Sequence, residues 1–406
     1  MTPASQPPAS QPPVSAQPAS EQPAPGQVWA HVGQPFTPPA ARPDGTHYDF
    51  IVIGAGRMGS LLTLALTRAA PHARLLLVEQ GGLPNEEGHT ILAPGLWTTA
   101  HLGPDHHPAA HASRALIEAF GQPTPRPYIT LHTHPAPGSV PVADALRDHP
   151  DSLALLDPGV LTHATTDPHA LAYRPGTLAL NAAQTAIRAG AHLMLNTRAA
   201  PHPSGVVTAE RLTVTNTHQI ITHETHTLRA RHVILATGAD APTQAEQLLG
   251  IHTRHARAYR QTPHLNAPST STSPTLHAAG LTLNPQHGAY TLHPATHHRD
   301  PHGYAPTGGH LTGVPTGLRR ETLEDLVALM DALPVLATPG LHLGRSLSDI
   351  PGSWAALPHG DPHAPPIHEP LDPHTTLLLG GPHADTLGPH TAQELAQQLA
   401  QHLAGT

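Results

Sequence analysis

The chain contains no cysteine and no lysine, so every basic residue is an arginine. Without cysteine there is no disulfide, no thiolate nucleophile and no thiolate-ligated metal. Without lysine there is neither a Schiff-base amine nor the lysine of a P-loop, which excludes pyridoxal-phosphate enzymes and P-loop NTPases. Aromatic residues make up only 3% of the sequence, so the core must rest on Leu, Ala, Val and Ile. No apolar run is long enough for a membrane helix and no charged-then-apolar leader opens the chain, so we expect a soluble, cytoplasmic protein. Basic runs are missing too, and the net charge is −8, which argues against nucleic acid or an anionic membrane as the main partner.

Histidine, in contrast, is abundant. Pairs such as His107 and His111, His132 and His134, and His252 and His255 arise by chance among 37 histidines. None has a carboxylate at ligand spacing or a third histidine in a metal motif, so we expect no metal site and read histidine as a general surface polar residue. Protonating all 37 would take the charge from −8 to +29, which predicts loss of stability or solubility below about pH 6. Residues 1–45 carry twelve prolines in a degenerate Pro-Ala-Ser-Gln-Pro-Pro pattern and read as a disordered or polyproline-like tail. Trp29 and Phe36 either pin its last part to the folded body or are solvated.

The most informative stretch runs from Asp49 to Gly59. Phe50, Ile51, Val52 and Ile53 form the unbroken apolar run of a parallel strand buried on both faces, and lead directly into Gly54-x-Gly56-x-x-Gly59. Gly54 permits a tight turn, Gly56 lets a pyrophosphate approach the backbone, and Gly59 lets the next helix pack on the strand. That helix is expected from Arg57 to about Ala70, with Leu61, Leu62, Ala65 and Leu66 on its buried face and its free amides aimed at phosphates. A strand from Arg74 to Glu79 follows. Its terminal carboxylate falls where an acidic side chain meets ribose hydroxyls. The glycines alone would be weak; strand, glycines, helix, strand and carboxylate in order indicate a dinucleotide cradle.

Downstream, helices are expected over Ala109–Phe120, Pro175–Ala189, Glu321–Leu333 and Thr391–Leu403. Strands are expected over His192–Asn196, Val206–Val214, Gln219–Thr227, Arg231–Thr237, Ala289–Leu292 and Thr375–Leu379.

The order of motifs resembles the D-amino acid oxidase superfamily of FAD-dependent oxidoreductases, to which glycine-, sarcosine- and dimethylglycine-oxidising enzymes belong. Four landmarks carry the resemblance: the cradle with Glu79; Gly88-x-Thr90 through Ala93-x-Gly95-Leu96; the Gly-Ala-His strand near residues 190–196; and Val233-Ile-Leu-Ala-Thr-Gly238-Ala239. It implies an α/β fold, with a discontinuous Rossmann-like FAD-binding domain (46–110, 172–250 and 352–406) and a mixed α+β substrate domain (111–171 and 251–351). It implies FAD contacts at Ile53, Gly54, Gly56, Arg57, Met58, Gly59, Glu79, Gln80, Ala236, Thr237, Gly238, Gly380 and Gly381. The implied activity is oxidation of the C–N bond of a small amine or amino acid by hydride transfer to flavin N5.

Three departures from the family pattern stand out. Leu92 occupies the position of the histidine that bonds covalently to FAD in dimethylglycine-type enzymes, so the cofactor is expected to be non-covalent. Pro358, in Trp354-Ala355-Ala356-Leu357-Pro358-His359, stands where glycine oxidase-like members place the arginine that grips the substrate carboxylate. Pro382-His383-Ala384-Asp385 replaces a glycine-rich run after the last strand. A carboxylate clamp is therefore sought among Arg345, Arg260, Arg319 and Arg320, because guanidinium suits bidentate binding. Arg345 is preferred for its place in the family order, with Tyr259, Tyr290, Tyr304 and His383 as further candidates near the flavin. The alternatives are a protein that kept the fold and lost catalysis, and an NAD-linked dehydrogenase.

Overall fold

A computed structural model describes residues 24–85, 88–217, 219–295, 298–299, 318, 320–337, 341–342, 350–358 and 364–405. Arg345, Arg319, Tyr304 and His359 lie outside the described residues. The cradle strand Tyr48–Ile53 is buried at every position, as a run without polar alternation requires. It lies in a nine-stranded sheet. Six strands run parallel in the order Val28–Trp29, His192–Met194, Leu75–Val78, Tyr48–Ile53, Ile220–Leu235, Thr375–Leu379, and Ile367–Asp372 closes that edge antiparallel. On one face the helices Arg57–Ala69, Pro175–Arg188, Gly388–Gly405 and His107–Phe120 pack through Leu61, Leu62, Leu178, Ala182, Ile117, Leu395 and Leu399. The opposite face is covered by an antiparallel meander, Thr197–His202, Val206–Val214 and the first half of Ile220–Leu235.

The long strand Ile220–Leu235 replaces the two strands expected over Gln219–Thr227 and Arg231–Thr237. Its first half pairs with Val206–Val214 and mixes half-buried with exposed residues; its second half enters the parallel sheet, where Val233, Ile234 and Leu235 are buried. The change of burial, not a turn, produced the apparent boundary. The helix expected over Glu321–Leu333 closes early, at Val327, and turns carry the chain to Leu333.

Within residues 24–45 Trp29 and Phe36 are buried and pin the end of the tail, the first of the two alternatives for these aromatics, while most of their neighbours stay exposed or half-buried. Val28–Trp29 extends the parallel sheet, and Trp29 (3% exposed) meets Phe36 edge-on at 4.8 Å. The fully buried Arg211 guanidinium donates to the carbonyls of His31 and Gln34. Two aromatics and one buried arginine thus outweigh a local composition that favours disorder.

A second, eight-stranded sheet includes Tyr128–His132, His163–Asp167, Thr275–Ala278, Leu281–Gln286 and Ala289–His293. Its period-two alternation puts Ile129, Leu131, Leu276, Leu283, Tyr290 and Leu292 into a core shared with Leu326 and Leu333. The other face carries Tyr128, Thr130, His132, Thr275, His277, Thr282, Asn284, Thr291 and His293. Asn284 Nδ2 on that face donates to the Pro94 carbonyl at 2.9 Å, so the polar side turns toward the loop beside the cradle. A smaller ribbon pairs His255–Gln261 with Gly352–Pro358. No helix among the described residues is long and apolar enough to cross a membrane.

Candidate active site

At the carboxyl end of the cradle strand, Gly54 adopts φ +102° and its N–H donates to Val78 O at 2.8 Å. A Cβ there would lie 2.5 Å from Ala236 O, and one on Gly59 would lie 1.9 Å from Gly54 O. Both glycines are demanded by the fold itself. Gly56 differs: a Cβ on it would meet only Thr90 Oγ1, at 3.2 Å. The helix that begins at Arg57 has no side-chain cap and no acidic residue in its first turn. Thr90 Oγ1 accepts the Arg57 N–H at 3.2 Å, which puts a hydroxyl beside the helix terminus. An uncapped helix end beside a bare glycine is a fit for an anionic phosphate.

Glu79, 6% exposed, accepts the Ala55 N–H through Oε2 (2.7 Å), and the Gly81 N–H (3.0 Å) and Asn85 Nδ2 (2.9 Å) through Oε1. Two carboxylate oxygens hold about four lone-pair sites, so capacity remains for hydroxyl donors. Ala236 N–H donates to Ile53 O at 2.8 Å, which brings the returning strand against the cradle; Thr237 is held by Gln244 at 2.8 Å. Gly238 is exposed and Gln80 is exposed at the strand end. Gly380 packs over Met58, with the site of its Cβ 3.4 Å from Met58 Cγ, and Gly381 adopts φ +59°. Sequence-distant cofactor candidates are thereby gathered at one edge, where open α/β sheets bind ligands. A cavity of about 290 Å³ lined by Tyr48, His72, Arg74 and His192 lies at the opposite, amino-terminal edge and has no part in this arrangement.

Beside the cradle two arginines converge. Arg57, 6% exposed, forms an ion pair with Asp385 of the closing loop. Asp385 Oδ2 accepts the Gly95 N–H at 2.8 Å and the Leu96 N–H at 3.4 Å, while Tyr173 Oη donates to the Asp385 carbonyl at 2.8 Å. Burial pushes the Tyr173 phenol up to about 12, so it stays a donor at neutral pH. Arg260, on the ribbon, stands opposite Ser353, whose Oγ meets His89 Nδ1 at 2.6 Å one residue before Thr90. Arg260 donates to His293 Nδ1 at 3.4 Å. Among the described residues its buried Nε has no hydrogen-bond partner and no carboxylate forms an ion pair with it. Burial lowers the Arg260 guanidinium to about 10, and the positive charge of Arg57 acts in the same direction. Burial, then Arg260, then His264 hold His293 well below the usual histidine range, so it is a neutral acceptor.

The other sequence candidates are placed differently. Tyr290 points into the helix-covered core, where its hydroxyl meets Ser152 Oγ at 3.2 Å, on the face away from the cradle. Its position over a flavin is thus corrected to a packing role, because the sheet alternation gives that face to Thr291 and His293. Tyr259 is fully buried and packs 5.1 Å from the Trp354 ring, on the opposite face of the ribbon from Arg260. Arg320 is an exposed partner of Glu324. His383 is half-buried in the closing loop, and its carbonyl accepts the Leu387 N–H at 2.8 Å. Asp385, Ser353, His89 and His293 were not singled out by sequence. Asp385 alone had a signal there, as a lone carboxylate within the altered closing loop.

Comparison with curated proteins by sequence produced no match. The fold resembles that of glycine oxidase from Geobacillus kaustophilus, at TM-score 0.61 and 18% identity over 87% of this chain and 95% of that one. It also resembles L-amino acid deaminase from Proteus vulgaris, with its specific insertion deleted (TM-score 0.60, 14% identity, 92% and 93% coverage). Iminodiacetate oxidase from Chelativorans sp. BNC1 aligns at TM-score 0.58 and 19% identity, over 87% of this chain and 95% of that one. The sequence from residue 49 to residue 398 matches the DAO family, described as FAD dependent oxidoreductase, and the chain belongs to that family.

Proposed function

We propose that this FAD-dependent oxidoreductase oxidises the C–N bond of a small amine that also carries a carboxylate, and that it holds FAD without a covalent bond. The observation that carries the substrate class is Arg260: a guanidinium whose buried Nε has no hydrogen-bond partner and which has no paired carboxylate among the described residues, with a neutral histidine as its neighbour. A cation in that state is stabilised by an anionic ligand, and guanidinium suits a carboxylate. The clamp proposed on this ground is Arg260; Arg345, preferred from the sequence, lies outside the described residues. The structural neighbours named for glycine, L-amino acids and iminodiacetate are compatible with such a substrate.

When bound, FAD supplies the hydride acceptor. This chain's residues supply the rest. Gly56 and the first amides of its helix receive the pyrophosphate, Glu79 offers its spare lone pairs to the ribose, and Gly380 and Gly381 border the flavin end. Arg260, steadied by His293, orients the substrate through its carboxylate, and such positioning accounts for much of a hydride transfer's acceleration. Leu92 has no group able to bond to a flavin, which supports a dissociable cofactor. The same reading keeps 46–110, 172–250 and 352–406 as the cofactor part and 111–171 and 251–351 as the substrate part. Two contacts adjust it: His107–Phe120 packs in the helical core beside the cradle helix, and Gly352–Pro358 pairs with His255–Gln261.

Anaerobic titration of the yellow, FAD-loaded protein with small amino acids and with the corresponding neutral amines tests the proposal. Bleaching by amino acids is expected, and Arg260→Met should weaken their binding about a hundredfold while leaving neutral amines nearly unchanged. Equal response of both ligand classes in Arg260→Met would overturn the assignment. Colour without bleaching by any amine would favour a binding protein, and colourless protein that binds NADH a nicotinamide enzyme.

A further inference from the structure

The ion pair of Arg57 with Asp385 joins three segments that are remote in sequence: the cradle helix, the loop at Gly95 and Leu96, and the closing loop. Both residues are more than nine-tenths buried. Arg260 approaches from a fourth, along a continuous chain of contacts: it faces Ser353, Ser353 bonds His89, and the neighbouring Thr90 holds the Arg57 N–H. Two guanidiniums and one carboxylate therefore share one side of the cradle, and the carboxylate is committed to Arg57. Asp385 cannot swing to Arg260 without releasing the Gly95 and Leu96 amides as well as Arg57.

We infer that Asp385 is a specificity-determining residue: by neutralising Arg57 it leaves Arg260, of the two arginines described beside the cradle, as the one without a carboxylate, and the site accepts one carboxylate rather than two. The altered closing loop then has a function. It supplies the counter-charge for an arginine inside the cradle, which would otherwise compete for the substrate or draw in a dianion. The inference rests on the reading of Arg260 as the clamp, but it predicts a pattern that the clamp alone does not. Removing a compensating carboxylate from a buried pair leaves a full charge exposed to any ligand that enters.

The test is calorimetric binding of acetate and malonate to the FAD-loaded protein, which reads affinity independently of turnover. In the parent protein the second carboxylate of malonate should add little, so the two affinities stay within about threefold. Asp385→Asn should favour malonate over acetate by about tenfold more than the parent does, because Arg57 becomes available. In Arg57→Met, the unneutralised Asp385 should weaken both ligands about tenfold. The double variant Arg57→Met with Asp385→Asn should restore the parent ratio and the parent acetate affinity, and Asp385→Glu should keep both. An unchanged malonate preference in Asp385→Asn, or a double variant that fails to restore it, overturns the inference. Should Asp385→Asn not fold, the loss in Arg57→Met and its recovery in the double variant decide the matter on their own. Arg260→Met separates the two readings: acetate binding that survives it sinks the clamp, whereas its loss together with a flat Asp385→Asn ratio sinks only the role of Asp385.

Discussion

At the scale of single residues, the three glycines of the cradle answer to different forces. Gly54 and Gly59 are required by backbone contacts of the protein with itself, at 2.5 and 1.9 Å from a would-be Cβ. Gly56 faces only a threonine hydroxyl. Gly59→Ala should therefore destabilise the apoprotein by about 1–3 kcal/mol, read as a lowered denaturation midpoint. Gly56→Asp should leave the apoprotein's midpoint nearly unchanged and weaken FAD about a hundredfold or more, because a carboxylate then stands in the pyrophosphate path. A Gly56→Asp protein purified with a full complement of FAD would contradict the cofactor site. The same spacing in the sequence marks all three positions, but only neighbouring atoms separate their roles.

Among elements, the strap at residues 24–45 shows how few contacts convert a proline-rich segment into structure. Its two-residue strand contributes little by itself; Trp29 on Phe36 and the buried Arg211 on two carbonyls fix it. Trp29→Ala is expected to cost about 3–5 kcal/mol in urea unfolding, as for other buried aromatic truncations. A change below about 0.5 kcal/mol, the usual range for surface substitutions, would mean that the strap is dispensable. The paired ribbon is the element on which the proposed clamp rests: its register gives Arg260 and Ser353 one face and Tyr259 and Trp354 the other. A shift of one residue would exchange them.

For the molecule as a whole, histidine makes stability depend on pH through a few buried rings, not through the total of 37. Burial lowers His232 and His277 to about 4 and also lowers His192, His264 and His293. A histidine whose folded value is depressed contributes stability that is complete above its unfolded value, near 6.5, and is lost as pH falls toward the folded value. Asp240 acts the opposite way. Burial raises it to about 6, so its contribution is present at low pH and disappears as pH rises through roughly 4 to 6. Among the described residues, five such histidines against one such aspartate give a net loss on acidification between pH 6.5 and pH 4. The thermal midpoint should fall steadily between pH 6.5 and pH 4, and His277→Gln should flatten the slope; a constant midpoint over that range would refute the account.

Much of the cofactor half was legible because its signals are local. The apolar run Phe50–Ile53, the glycine spacing, Glu79 and the return at Ala236 each follow from neighbours in sequence, and together they determine a Rossmann-like cradle and the FAD family. The substrate half was not legible in this way. Tyr290 and His293 lie three residues apart on one strand, and only the pleat of a folded sheet assigns the first to the core and the second to Arg260. Asp385 meets Arg57 across more than 300 positions of chain, and long-range pairing of that kind leaves no periodicity to read. What the sequence determined by itself is the cradle and its chemistry, since backbone geometry and helix ends are encoded within a few residues. What the tertiary structure alone decided is which charges are compensated, because compensation depends on distance and burial and not on spacing along the chain.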